Sequence, residues 1–367
     1  MNQEELTKYS LGENLDQLMN LDPRGYGVCR ILYEASRQYT KEPLTMHCAT
    51  LLDNKLKKDD IVYLMTGFVL LPFKKAEMDG IVSTMLLARA LVKAYGVKPV
   101  ILSAEDNMKA ADAMAFDMGL HCYKTIEEVK QYPISLCTIP ISTDSDIAKS
   151  QSDELLSQGL PAAVIAIECP GENSVGKFHN ATGLDVTELE PKRDYLFNKL
   201  KDAGVLNIAI GDLGNELGMG TIGNHINKYI PYAAEGSCKC GCGKGILART
   251  AADHIITATV SDWGTYGLIA AIAYLRKDLD VMHTKELEEK AMNTACSNGM
   301  IDMYGWLIPA IDGFGVSMNR SLVNMMRECV SSSINLKDTC KIWFDKVIDL
   351  KFYDNKAMDS IAELENL

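Results

Sequence analysis

The sequence predicts an α/β protein with a mostly parallel sheet and helices on both faces. Two observations carry this. Short apolar runs recur along the chain at 61–66, 99–102, 134–139, 163–167, 206–210 and 254–259. Between or after them lie stretches of helical periodicity at 80–95, 105–118, 146–158, 191–203, 263–276, 285–298 and 318–333. Strand–helix alternation of this kind needs crossover connections, which pair strands in parallel and cover both faces of the sheet. A third observation sets the organisation. No repeat, low-complexity tract or long Pro/Gly/Ser linker interrupts the chain, so 1–367 is expected to form one α/β domain.

Residues 4–55 precede the first strand. Leu15, Leu18 and Met19, then Cys29, Leu32, Tyr33 and Ala35, recur at helical spacing, with Asp22-Pro23-Arg24-Gly25 as the break. Segment 1–55 is therefore expected as a helical unit packed on the domain. The mixed-charge tail after about residue 336 is expected as a peripheral helical segment.

The bulk numbers exclude several functions. Of 367 residues, 47% are hydrophobic and 23% charged, as in an ordinary globular protein. The net charge of −12 argues against nucleic acid as a partner, because neutralising phosphates takes clustered Lys and Arg. No run of 18 apolar residues appears, so no membrane span is expected. Met1-Asn2-Gln3-Glu4-Glu5 has neither the basic nor the apolar part of a signal peptide. Eleven cysteines, an odd number, suggest reduced thiols in a cytoplasm. The acid excess says nothing against a small anionic substrate, such as a carboxylate, bound by a metal or a helix N-terminus, and a homo-oligomer is left open.

Candidate chemistry gathers where strands end. Residues 211–220, Gly-Asp-Leu-Gly-Asn-Glu-Leu-Gly-Met-Gly, follow the apolar run 205–210 directly. In open α/β sheets ligands bind just beyond the carboxyl ends of strands. Asp212 and Glu216 are four apart, so a helical turn would put both on one face, where they could hold a hard cation. The alternative is a solvated loop with Asp212 as a helix cap. Thr66-Gly67-Phe68 ends the first strand, and Glu77-Met78-Asp79-Gly80 opens the next helix. That helix N-terminus could bind an anion. Glu77 and Asp79 could cap it or join a metal cluster.

Residues 168–185 again follow a strand. There Glu168, Lys177, His179 and Asn180 offer acid–base and hydrogen-bonding groups. Val260-Ser261-Asp262-Trp263-Gly264 ends another strand, with Ser261 or Asp262 a natural N-cap and Trp263 facing either ligand or core. Asp302 and Asp312 lie in two later loops. Cys238, Cys240 and Cys242 pack three thiols into five residues. Such a cluster suits Zn²⁺, with His225 or Cys169 as an expected fourth ligand; the alternative is reduced surface thiols.

Taken in order, these segments resemble the C-terminal domain of the D-glutamate cyclase family. The matching stretches are 66–68, 77–80, Ile167-Glu168-Cys169-Pro170-Gly171, 211–220, 260–264, and Gly299-Met300-Ile301-Asp302 with Asp312-Gly313. The family usually has Gly where Leu213 stands, Asn where Asp262 stands and Thr where Met78 stands. The resemblance implies a lyase that closes D-glutamate to 5-oxo-D-proline with loss of water. That chemistry needs a general base, a polarised carboxyl group and a folded substrate. We assign a divalent cation, Mg²⁺ or Mn²⁺, to Asp79, Asp212, Glu216 and Asp302. Catalytic roles fall to Glu168, Lys177, His179 and Asn215, and substrate contacts to Gly67, Gly80, Gly214, Ser261 and Trp263. A metal-dependent hydrolase such as a phosphatase, or a non-catalytic metal- or metabolite-binding protein, remains the alternative.

Overall fold

The structure, a computed structural model, describes residues 1–336, 341–351 and 353. Seven strands form one sheet: β1 (Ile61–Thr66), β2 (Lys98–Ser103), β3 (His121–Tyr123), β4 (Ser135–Pro140), β5 (Ala163–Ile167), β6 (Leu206–Gly211) and β7 (His254–Thr257). Their order is β3-β4-β2-β1-β5-β6-β7, and every neighbouring pair is parallel. Two antiparallel two-residue pairings, Val69–Leu70 with Lys75–Ala76 and Ala310–Ile311 with Phe314–Gly315, lie outside it. The predicted α/β class is what the chain adopts. The strand missed by the sequence is β3, three residues long and opening on exposed His121, so it has no apolar run to read.

The central strands are buried on both faces, which is why they appear as unbroken apolar runs. Along β1, Val62 and Leu64 enter the core on one face, and Tyr63 and Met65 the core on the other. β5 splits likewise, Ile165 and Ile167 against Val164 and Ala166. The first face is covered by helices Ile81–Tyr95 and Ser261–Leu275 among others. Every residue from Ser261 to Tyr274 is buried. This helix lies between the sheet and the helices Gln3–Met19, Leu44–Lys55 and Val316–Ile334. An apolar helix of this kind is buried on all sides.

The N-terminal segment is helical as expected: Gln3–Met19, Val28–Thr40 and Leu44–Lys55. Its first break is built by Asp22, whose carboxylate accepts from the N–H groups of Gly25, Tyr26 and Gly27 at 3.0, 3.2 and 2.8 Å. In the tail, Lys341–Asp349 is helical, and the rest of the expected segment lies outside the described residues. Among the described residues no helix is long and apolar enough to cross a membrane.

β1 sits where the chain reverses direction across the sheet, with β2 on one side and β5 on the other. The region beyond the carboxyl ends of β1 and β5 is thus the topological switch point, the place where ligands settle in doubly wound sheets.

Candidate acidic site at the strand ends

Three strand ends deliver the site. β1 leads into Gly67, β5 into Glu168 and β6 into Asp212. Carboxylate oxygens of Asp79, Asp212 and Asp312 lie within 4.8 Å of one another, and so do those of Glu168, Asp212 and Glu216. Asp212 belongs to both groups. All five acids are buried.

Glu168 and Asp312 both have left-handed backbones, φ 41° and 53°. Strain of this kind costs about 1–3 kcal/mol and persists where the surroundings over-determine it, commonly at functional sites. Gly80 explains the close packing around Glu168. Its φ is 85°, and a Cβ there would stand 2.6 Å from Glu168 Cβ and 2.8 Å from Thr66 Oγ1. A side chain at 80 would occupy the place where the β5 end passes.

Asp79 and Asp262 cap each other's helices. The Asp79 carboxylate accepts from the N–H of Asp262 at 2.9 Å and of Ser261 at 3.3 Å, at the start of helix Ser261–Leu275. Asp262 accepts from the N–H of Gly80 at 2.8 Å and of Ser83 at 3.3 Å, at the start of helix Ile81–Tyr95. From the sequence, this helix start could bind an anion, with Glu77 and Asp79 either capping it or joining a metal cluster. The structure fills that helix N-terminus with the chain's own Asp262. Two antagonistic charges are thus placed on two helix dipoles.

Glu216 also serves its own loop. It accepts from the N–H groups of Asp212, Leu213 and Gly214 at 2.9, 2.7 and 2.7 Å. Gly214, with φ 92°, completes that ring of donors. Asp302, expected among the metal ligands, closes a turn instead: its carboxylate accepts from the Trp306 N–H at 2.7 Å. Asp312 stands in the place expected for it.

The substrate-contact candidates divide. Ser261 donates its hydroxyl to Glu168 at 2.6 Å. Gly67 offers its carbonyl to the buried Arg193 at 3.0 Å. Trp263 is core: it is fully buried, tilted against Phe314, and its N–H goes to Asn319 at 2.8 Å. Asn215 donates to the His179 carbonyl at 3.0 Å. Lys177 turns outward to Asp185 at 3.4 Å, with its side chain 41% exposed. His179 turns to the thiols, Nε2 3.1 Å from Cys240 Sγ. The expected fourth thiol-site ligand is corrected accordingly. His225 packs beside Tyr229, Cys169 lies in the core, and His179 completes the group with Cys238, Cys240 and Cys242.

Sequence reasoning missed Arg24. It sits in the break shaped by Asp22 and reaches Asp312 at 2.6 Å and the Thr259 carbonyl at 2.7 Å. Its residue type was visible, but its partner is 288 positions away.

The electrostatics follow from burial. Burial raises the Asp79 carboxyl well above the usual range, with Asp262 and Glu168 adding to it. Asp212 is raised by burial and then by Glu168 and Asp312. Glu168 is raised by burial, Glu216 and Glu77. Glu77, beside them, is raised by burial and Asp312. So many buried carboxyls cannot all ionise without a countercharge. Asp212 Oδ1 and Asn215 Oδ1 are buried with no hydrogen-bond partner among the described residues. Hard oxygen donors, an orphaned carboxylate oxygen and frustrated charge together fit a divalent cation.

This fixes the sign of two pH effects. A carboxyl raised by folding binds more protons in the folded than the unfolded chain. Stability of the cation-free protein therefore falls as pH rises from the ordinary carboxylate range through the raised values. Cation binding must displace those protons, so Mn²⁺ affinity should rise as pH climbs from the ordinary carboxylate range through the raised values. Titration calorimetry in buffers of different ionisation heat checks it: proton release on binding is the expected result.

A fully parallel, doubly wound sheet with a buried carboxylate cluster at its switch point defines an α/β protein with an acidic site. The family described as D-glutamate cyclase-like, C-terminal, matches residues 15–327, and the chain belongs to it. It is 28% identical over 159 residues to the mitochondrial D-glutamate cyclase of Homo sapiens. That match covers 41% of this chain and 24% of the human protein, so it spans about a quarter of the relative's length.

Proposed function

We propose that the chain is a divalent-cation-dependent lyase that closes D-glutamate, or a near analogue, into its 5-oxo-proline with loss of water. The observation that carries this is the convergence on Asp212 of both carboxylate groups at the switch point, in a chain of this family. Asp212 with Asp79 and Asp312, or with Glu168 and Glu216, would hold Mg²⁺ or Mn²⁺. When bound, such a cation supplies charge stabilisation to a carboxyl oxygen.

The chain's own residues supply the rest. The substrate amine must lose a proton before it attacks. Glu168, its basicity raised by burial and neighbouring acids, can accept that proton, with the Ser261 hydroxyl orienting it. The amine nitrogen then bonds to the side-chain carboxyl carbon, and one carboxyl oxygen leaves as water with two protons. Arg24 offers a guanidinium to the remaining carboxylate, since its fork suits planar carboxylate recognition. Burial keeps water out, which strengthens these interactions.

Purified protein loaded with Mn²⁺ or Mg²⁺ and given D-glutamate, L-glutamate or a generic phosphate ester tests the reading. The expected product is 5-oxo-D-proline from D-glutamate, read by chiral chromatography with mass detection. Turnover of the phosphate ester alone, or no product from either glutamate with a cation-loaded protein, would replace it with the hydrolase or the binding-protein alternative.

A further inference from the structure

We propose that His179, Cys238, Cys240 and Cys242 form a closed four-ligand site for Zn²⁺ that fastens the loop after β5 to the segment after β6. This site is separate from the carboxylate cluster and does not depend on the reaction performed there. His179 Nε2 lies 3.1 Å from Cys240 Sγ and 3.9 Å from Cys242 Sγ. Cys238 Sγ lies 3.4 Å from both Cys240 Sγ and Cys242 Sγ. All four donor atoms fall within 4.8 Å of one another. Ideal zinc bond lengths give tetrahedral edges of about 3.8 Å between sulfurs and about 3.6 Å between sulfur and nitrogen. The sulfur–nitrogen separations of 3.1 and 3.9 Å bracket their value, and the two sulfur–sulfur separations of 3.4 Å fall somewhat short of theirs. Three free thiols and a ring nitrogen converging on one point do not pair off as disulfides would.

The donor set selects the metal. Thiolates and imidazole are soft and borderline ligands that favour Zn²⁺ over Mg²⁺ or Mn²⁺, whereas the carboxylate cluster has the opposite preference. Four protein ligands also leave no open position, which marks a structural rather than a catalytic site.

The surroundings are built for the purpose. Glycines between and after the cysteines, Gly241 and Gly243, take φ 76° and 77° and wind the thiols onto one side. The Lys239 N–H donates to the Gly183 carbonyl at 2.8 Å and ties the thiol segment to the histidine loop. Asn173 donates to the Gly245 carbonyl at 2.9 Å and approaches Cys242 Sγ at 3.6 Å, an outer-shell donor to a sulfur. The functional consequence runs through one hydrogen bond. The His179 carbonyl holds the side chain of Asn215, next to Glu216 in the carboxylate loop. Metal at the thiols thus steadies one wall of the other site from outside it.

Plasma mass spectrometry of purified, reduced full-length protein should find close to one zinc per chain. Cys240→Ser and His179→Ala should lose it, and Asp212→Asn should keep it. Chelation should lower the melting temperature of the parent protein. Because a cysteine variant could misfold, the parent protein reconstituted with Co²⁺ provides a readout that needs no substitution: tetrahedral thiolate absorption in the visible. Folded, reduced parent protein that takes up neither Zn²⁺ nor Co²⁺ with this spectrum would overturn the proposal. So would zinc that persists in Cys240→Ser, or zinc that departs with Asp212→Asn while the Cys240→Ser protein retains it.

Discussion

Asp212→Asn should weaken Mn²⁺ binding by about 100-fold or more, since changes even to outer-shell partners of a metal reach that size. Asp212 is the side chain common to both carboxylate groups, and its Oδ1 is buried without a partner. The amide keeps the volume and removes the charge. The same substitution should raise the melting temperature of the cation-free protein, because it removes a carboxyl disfavoured by burial and then by repulsion from Glu168 and Asp312. Loss of a ligand with a gain of stability is the signature of a site held under strain for function. Titration calorimetry and thermal melting, on the same preparation, check both halves. Unchanged affinity would remove Asp212 from the cation site, and a lower cation-free melting point would mean the acids are not in conflict.

Gly80→Ala should destabilise the fold by about 3 kcal/mol, the combined effect of a left-handed backbone and a forced contact. The new methyl group meets Glu168 Cβ at 2.6 Å and the Ile167 carbonyl at 3.1 Å, and neither is the free end of a flexible side chain. Gly119 is the internal comparison. Its φ is 71°, yet nothing stands within 4 Å of a Cβ there. Gly119→Ala should therefore lose only the conformational part, about 1 kcal/mol. Urea unfolding of the two variants separates the backbone cost from the steric one. Equal losses would show that the crowding at residue 80 relaxes freely.

Much of this architecture is legible in the sequence for one physical reason. Strands covered on both faces must be apolar throughout, so β1, β5 and β6 read as runs such as Ile61–Thr66 without any knowledge of their neighbours. The short edge strand at His121–Tyr123 lacks that constraint and was invisible. The acids Asp79, Asp212 and Glu168 could be singled out because they follow strands and sit beside glycines. Their partners could not. Asp79 reads locally as a cap for its own helix, but the helix it caps starts 182 residues later, at Ser261. His179 reads as an acid–base group in a polar loop, and its thiol neighbours lie about sixty positions on. Arg24 reads as part of a helix break. Local sequence reports burial and turn chemistry well, whereas the pairing of polar groups across the fold is a tertiary fact.

The exchange of caps between Asp79 and Asp262 bears on the order of assembly. The Gly80 N–H is shared between its neighbour Asp79 at 2.9 Å and Asp262 at 2.8 Å, and the Asp262 N–H goes to Asp79, so each helix start draws on a carboxylate some 180 positions away. Contacts of such long range form late, because closing so large a loop precedes any gain from it. The carboxylate site is therefore expected to form late, with the docking of the two halves of the sheet. An ion bound to a feature formed that late is expected to act after the folding barrier. It lengthens the lifetime of the folded chain by slowing its unfolding, while the speed of refolding stays as it was.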